Sequence, residues 1–197
     1  MSDLDAVVPT WVAGWALSRG KPLQREGRVW RVDLDDRHRS TEWIIVAPSA
    51  AELEELAERA HAIPRSWVTV VDGGVVPGMT PIAHGEHLMH VVLRTREQET
   101  GVRIEERDGV AFATIHLDGV EAAHGQAALA GTTVVIDRIK TAPEFRRRGL
   151  GRAVMAALTG WAMDRGAVDG LLVASSDGFQ LYSALGWDSL SPLTTFS

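Results

Sequence analysis

The sequence predicts a mixed α+β protein, and three observations carry that prediction. Thr133 to Ile139 is a β-branched run that fits a buried strand. Leu150, Val154, Leu158 and Trp161 then recur at helical spacing up to Arg165 and Gly166, a basic last turn and a residue suited to a left-handed cap. Asp108-Gly109, between Gly101–Glu106 and Val110–Leu117, signals a hairpin, because that pair tolerates the positive φ a tight turn requires.

Taken in order, a short helix is predicted over 9–19, beginning near Pro9 and Thr10 and weakened by Gly14. Arg28–Leu34 alternates like a strand, Asp35–Arg39 reads as a turn, and Glu42–Ala47 is a second strand. Pro48 and Ser49 open a helix whose Leu53, Leu56, Ala57 and Ala60 make one apolar stripe while Glu52, Glu54, Glu55 and Glu58 face water; Pro64 closes it. Trp67–Val71 and His87–Arg94 are strands around a loop rich in glycine and proline. In the second half, Asp118–Ala130 reads as a small, flexible connection, Pro143 ends the Thr133–Ile139 strand, and Gly170–Ala174 is a strand. Ser176 or Asp177 caps a last helix over Phe179–Leu185.

The polar run Arg94–Thr100 is a candidate linker, dividing an N-terminal α/β half, 1–95, from a second unit, 96–197. Five of the seven tryptophans precede it, so the first half packs its own core or docks on the second. The 197 residues suffice for one large domain or two small ones. With no cysteine, disulfides, thiolate metal sites and cysteine nucleophiles are excluded, and a cytoplasmic setting is the default. The acidic start Met-Ser-Asp-Leu-Asp argues against a signal peptide, and no apolar run reaches membrane-spanning length. Acidic residues outnumber basic ones 26 to 20, a balance that repels nucleic acid, so the one arginine cluster is a local anion site.

That cluster is Arg146, Arg147, Arg148, Gly149, Leu150, Gly151 and Arg152, at the predicted start of the long helix. A helix start leaves four N–H groups without partners and carries about half a positive charge. Gly149 and Gly151 let a bulky anion approach the backbone, and the four arginines add mobile charge; the physical reading is a pyrophosphate cradle, against a plain basic surface loop. Neither a P-loop nor a dinucleotide fingerprint is present.

Arg146-x-x-Gly149-x-Gly151 resembles the Arg/Gln-x-x-Gly-x-Gly/Ala signature of the GNAT superfamily of acyl-CoA-dependent N-acyltransferases. Thr141-Ala142-Pro143-Glu144-Phe145 resembles the strand exit before that signature, and Leu181-Tyr182-Ser183-Ala184-Leu185-Gly186-Trp187 its C-terminal Leu-Tyr-x-x-Leu-Gly-Phe/Trp segment. The likeness covers about residues 100 to 190. It implies a splayed mixed β-sheet flanked by helices in 96–197, and leaves open whether 1–95 is a reduced copy of that architecture or an acceptor-side subdomain.

The resemblance implies that acetyl-CoA is the cosubstrate and an amine the acceptor, with no metal. Ile139, Lys140 and Thr141 would meet pantetheine through main chain, and Arg146 to Arg152 the pyrophosphate. A backbone donor near Ile139 or Thr141 would stabilise the thioester oxyanion. Tyr182, the only tyrosine, stands where the superfamily's general acid protonates the CoA thiolate; the alternative is a ring that only packs. Asp137, by alternation on one face with Val135, Ile139 and Thr141, is either the base, with or without an ordered water, or half of an ion pair with Arg138 or another arginine. Ser175 stands where many relatives carry asparagine near CoA. His84, His87 and His90 recur every three residues, a spacing that suits neither a strand face nor a zinc site. Partners expected are acetyl-CoA and an amine, not nucleic acid or membrane, with a homodimer allowed. The rival function is a non-catalytic acyl-CoA sensor.

Overall fold

Local chemistry sets the ends of most elements, and the computed structural model, which describes residues 3–94 (the Asp3 and His84 side chains aside) and 101–197, joins the strands into one sheet. In the first half, α1 (Asp3–Ser18) precedes a hairpin of β1 (Leu23–Glu26) and β2 (Val29–Asp33), then β3 (Thr41–Val46), α2 (Ala50–His61), β4 (Ser66–Val71) and the long β5 (Pro81–Val92). The second half runs β6 (Arg103–Arg107), β7 (Val110–Leu117), β8 (Val120–Ala130), β9 (Thr133–Thr141), α3 (Leu150–Met163), β10 (Asp169–Ala174), α4 (Ser176–Ala184) and β11 (Asp188–Phe196). The predicted linker falls, beyond Arg94, outside the described residues.

The sheet order is β1-β2-β3-β4-β11-β5-β10-β9-β8-β7-β6. Two hairpin-like pairs and then a parallel pair crossed by a helix occur twice: β1-β2-β3-α2-β4 and β7-β8-β9-α3-β10. The last strand of each half is exchanged, with β5 against β10 and β11 against β4, while β11 and β5 join the two. The parallel pairs differ. β3 and β4 are paired from Thr41↔Ser66 to Val46↔Val71, whereas β9 and β10 pair only at Asp169↔Thr133, Gly170↔Val134 and Leu171↔Val135. Beyond Val135, β9 keeps β8 alone and β10 keeps β5 alone, so a gap opens between two strand edges whose backbone groups need partners.

One face of the sheet is covered by α1, whose Val8, Trp11, Val12 and Trp15 join Ile44, Val46, Leu88, Val135 and Leu171 in a core. On the other face α2 covers Trp43, Ile45, Val68 and Val70, and α3 with α4 covers Val134, Ile136 and Leu172. The stripe predicted for α2 is the buried one, Leu53, Leu56, Ala57 and Ala60. The Asp108-Gly109 turn has φ of 53° and 76°, as a hairpin with two left-handed residues requires.

Four features differ from expectation. Residues 120–130 form a central strand, introduced by a second turn of the same kind at Asp118 (φ 52°) and Gly119 (φ 80°). Their alanines and glycine give low strand propensity, but they let neighbouring side chains pack closely: a Cβ on Gly125 would lie 2.2 Å from Ile139 Cδ1 of β9 and 2.9 Å from Val154 Cγ1 of α3. α1 begins at Asp3 and carries Pro9 inside it, at the cost of one intrahelical bond. β1 and β11 have no counterpart in the sequence reading. The last helix is capped by Ser175, one residue before the expected cap, whose hydroxyl accepts the Gly178 N–H at 3.2 Å. No helix among the described residues is long and apolar enough to cross a membrane.

Gly14 tests how closely α1 sits on β9. A Cβ there would lie 2.3 Å from Val135 Cγ2 and 2.6 Å from Val135 Cβ, an atom fixed by its strand. Helix propensity alone favours Gly14→Ala by about 1 kcal/mol. Overpacking of about 1–3 kcal/mol or more outweighs it, so the variant melts below wild type in a calorimetric scan; a higher Tm would show that the helix is not pressed against the strand.

Candidate active site

The donor side is built where β9 leaves the sheet. Arg138 has φ 56°, and the β8 register shifts between His124 and Gln126, so an extra residue bulges from β9. The bulge breaks the expected alternation. Val135 and Asp137 face α1, whereas Ile139 turns to the α3 face and fills the space beside Gly125. Asp137 and Ile139 therefore do not share a face, contrary to the sequence reading. Lys140 is exposed, and Thr141 ends the strand with its carbonyl accepting from Arg146 Nε at 3.4 Å.

After a 3-10 turn at Pro143–Phe145, Arg147 (φ 62°) and Gly149 (φ 78°) are left-handed, and Gly149 is the N-cap of α3 with no side-chain cap. Among the described residues nothing accepts from the backbone N–H groups of Gly149, Leu150 and Gly151. Arg146, Arg147, Arg148 and Arg152 are exposed around them, Arg148 lying over the Phe145 ring at 5.7 Å. Cations at a helix N-terminus are unfavourable unless an anion joins them. The matching start of α2 is closed instead: Ser49 and Glu52 cap each other's backbone in a complete capping box. The gap between β9 and β10 opens at the C-terminal end of β9, the end from which the chain runs on to the bare amides of α3.

Across the gap, Ser175 spends its hydroxyl on the α4 cap, and α4 carries Tyr182. The ring is 8% exposed, lies 6.4 Å from Trp187 and sits so close under Gly178 that a Cβ there would approach Cε2 to 2.9 Å. Packing is thus part of its role. Its hydroxyl has no hydrogen bond among the described residues and is not one of the sealed, unpartnered side-chain atoms. Burial, and then the charge of Asp137, push the phenol up to about 12, so it stays protonated at any physiological pH.

On the α1 face, a cavity of about 170 Å³ reaches the gap at Ile136, Asp137 and Val173. Trp11, Trp15 and Trp67 line it. Asp137 is gripped by Arg19, Nε to Oδ2 at 2.7 Å and Nη2 to Oδ1 at 3.1 Å, with the two side chains 14% and 15% exposed. Of the two readings of Asp137, the ion pair is present, with Arg19 as partner and not Arg138. Arg39 pairs with Glu42 and lies over Trp67 at 4.6 Å and Trp15 at 5.6 Å. Glu42 accepts from Thr69 Oγ1 at 2.6 Å, Thr69 and Thr195 hydroxyls meet at 2.9 Å, and Thr195 reaches Glu86 at 3.4 Å. Burial, and then Glu42, raise the Glu86 carboxyl above the ordinary glutamate value.

Sequence reasoning missed Arg19, Arg39, Glu42 and Glu86. A signal existed in the acids: Glu42 stands at the head of the apolar run Trp43–Val46, and Glu86 precedes the apolar Leu88 and Met89. Of the three histidines, His87 bonds Ser189 and lies on Phe179, and His90 faces Asp169 at 3.5 Å. No group of three or more metal-ligating side chains occurs among the described residues.

A splayed mixed sheet with an uncapped, arginine-ringed helix start defines an acyltransferase-like architecture. The family model for acetyltransferases of the GNAT family matches residues 37–187, and the chain belongs to that family. It is similar in structure to a GCN5-related N-acetyltransferase from Kribbella flavida, with 17% identity, 100% of this chain and 95% of that one covered, and a TM-score of 0.71. An acetyltransferase assigned to the GNAT family from Novosphingobium aromaticivorans DSM 12444 is similar at 16% identity, 96% and 94% coverage and a TM-score of 0.66. A tandem GNAT protein from the clavulanic acid biosynthesis pathway is similar at 10% identity, 89% and 82% coverage and a TM-score of 0.55. None of the curated proteins compared matches the chain in sequence.

Because Tyr182 is the sole tyrosine, its ionisation can be read alone from tyrosinate absorbance near 295 nm. The folded protein should show no tyrosinate below about pH 11. With the folded value above the unfolded one, stability conferred by the neutral phenol is complete below pH ~10 and falls as pH rises toward 12. A midpoint near 10 in the native protein would show the ring to be exposed and distant from Asp137.

Proposed function

We propose that the chain is an N-acetyltransferase that moves the acetyl group of acetyl-CoA to a primary amine by direct attack in a ternary complex. The observation that carries this reading is the bare α3 start beside the β9–β10 gap, with the free phenol on one side and a polar cavity on the other. Family membership supports the acyl-CoA chemistry.

In this reading the amides of Gly149, Leu150 and Gly151 hold the diphosphate, and Arg146, Arg147, Arg148 and Arg152 surround it with charge. The β9 edge at Ile139, Lys140 and Thr141 takes the pantetheine arm as a further strand would, and Ser175 bounds the opposite side. A backbone N–H near Ile139 or Thr141 stabilises the carbonyl oxygen as the amine adds; one such donor is worth a factor of ~10²–10³. As the C–S bond breaks, Tyr182 gives its proton to the sulfur. Its high pKa keeps that proton available, and Asp137, tied to Arg19, holds the local field and fixes α1 against the gap. Holding both reactants in one cleft supplies much of the rate.

Residues 1–95 serve as the acceptor-side half, a reduced copy of the same architecture. The repeated element order supports this, as do the fully zipped β3–β4 pair and the self-capped α2, which leave that half no anion cradle. A chain without cysteine suits the cytoplasm.

Calorimetry with acetyl-CoA, followed by thiol release across an amine panel, tests the assignment. Binding with turnover is expected; binding without release from any amine would favour the sensor, and no binding would overturn both. Tyr182→Phe should lower kcat by about 10²–10⁴ while leaving acetyl-CoA affinity within about twofold. Gly151→Asp separates binding from folding. Its φ is ordinary, its nearest neighbour to a Cβ is Leu181 at 3.4 Å, and an acid in the first turn suits the helix. The variant should keep its Tm yet bind acetyl-CoA at least tenfold more weakly, about 1.4 kcal/mol.

A further inference from the structure

Acetyl transfer to an amine also requires a group that removes a proton from the acceptor ammonium. Three carboxylates line the α1-face cavity, Glu42, Glu86 and Asp137. Two are already matched, Asp137 by two N–H donors of Arg19 and Glu42 by Arg39 and Thr69. Glu86 has no cation within ion-pair distance among the described residues, and its hydrogen bond is a long one, from Thr195 at 3.4 Å.

Its place in the sheet is equally specific. On β5, His87 is the last residue paired with β10, opposite Ala174, and Glu86 lies one step further, paired only with Leu193 of β11. That step is where β10 ends and the gap is open. Glu86 shares the α1 face with Leu88, two residues on, so it belongs to the cavity that meets the gap at Asp137 and Val173.

Among the described residues, the charges facing Glu86 are Glu42 from β3, Arg39 from the turn before it, Arg19 from α1 and Asp137 from β9. Three acids against two guanidinium groups leave the described lining of the cavity one cation short. The cavity holds about 170 Å³, and Trp11, Trp15 and Trp67 give part of its wall an apolar surface, which suits one ammonium matched to one carboxylate better than a chain of several charges.

Resting on the transferase reading, we propose that Glu86 is the carboxylate that receives the acceptor ammonium and removes its proton, and that the acceptor is a compact primary monoamine seated among Trp11, Trp15 and Trp67. One ammonium proton passes to Glu86 and on to water. The nitrogen then bonds to the thioester carbon, the C–S bond breaks, and the sulfur takes the phenol proton of Tyr182. The proton shed by the adduct nitrogen restores the phenol, directly or through water. The raised carboxyl of Glu86 is displaced toward neutrality, the direction a base working there needs.

The full chain is assayed by thiol release with propylamine, benzylamine and glycinamide, and with spermidine for contrast, across pH 6 to 10, after acetyl-CoA affinity has been measured by calorimetry. Wild type should turn over at least one monoamine faster than spermidine, with an acid limb in kcat/KM. Glu86→Gln should bind acetyl-CoA within about twofold, lose about 10²–10⁴ in kcat and lose the acid limb. It should also melt above wild type, because a half-buried charge beside Glu42 is gone, which separates lost chemistry from lost fold. Glu86→Asp should keep the limb at reduced kcat, and Asp137→Asn should keep it too. A Glu86→Gln enzyme within about threefold of wild type with its limb intact overturns the assignment and leaves the transferase standing. Turnover of spermidine alone, or of none of the four by a protein that binds acetyl-CoA, overturns the monoamine class; a protein that binds no acetyl-CoA overturns the transferase reading itself.

Discussion

A helix begins with N–H groups that no residue of its own can satisfy, and the two sheet-crossing helices of this protein answer that requirement in opposite ways. At α2, Ser49 and Glu52 close the end with a reciprocal cap. At α3, the equivalent place holds a left-handed glycine without a side chain, another glycine two residues on, and arginines instead of acids. The second arrangement is poor helix chemistry taken alone. It becomes favourable when an anion supplies both the acceptors and the charge, and the rest of the site is arranged around that vacancy in the helix's own bonding.

The sheet repeats the contrast. β3 and β4 run zipped along their whole shared length, while β9 and β10 separate after Leu171↔Val135. The bulge at Arg138 sends Ile139 to the α3 face and leaves Asp137 on the α1 face, where Arg19 anchors it. The open pair thus connects two differently furnished faces, basic main chain on one and a tryptophan-walled polar cavity on the other. Exchange of β5 and β11 places a strand of the first half beside the gap, so the acceptor side is built from residues far from the signature.

What could be read in the sequence was whatever is decided within a few residues. Gly149, the Asp108-Gly109 turn, the Leu53 to Ala60 stripe and the cap at Ser49 each follow from local sterics or periodicity. What could not be read depends on distant partners. Residues 120–130 look loose by propensity, and only the close packing of Ile139 and of α3 on Gly125 explains the strand. Asp137 finds its cation 118 positions away, so alternation along β9 could not choose between base and ion pair. Glu86 is distinguished by lacking, among the described residues, the cation partner that Asp137 and Glu42 have, a property of the assembled sheet.

Main-chain recognition of a diphosphate at α3 is the interaction on which the whole site depends. Amide proton and nitrogen shifts of the uniformly labelled protein, followed by NMR while CoA is added, test it directly. Gly149, Leu150 and Gly151 should show the largest downfield amide shifts, and the start of α2 should not respond. Saturable binding that leaves those three amides unmoved, or that moves the Ser49–Glu52 end instead, would contradict it.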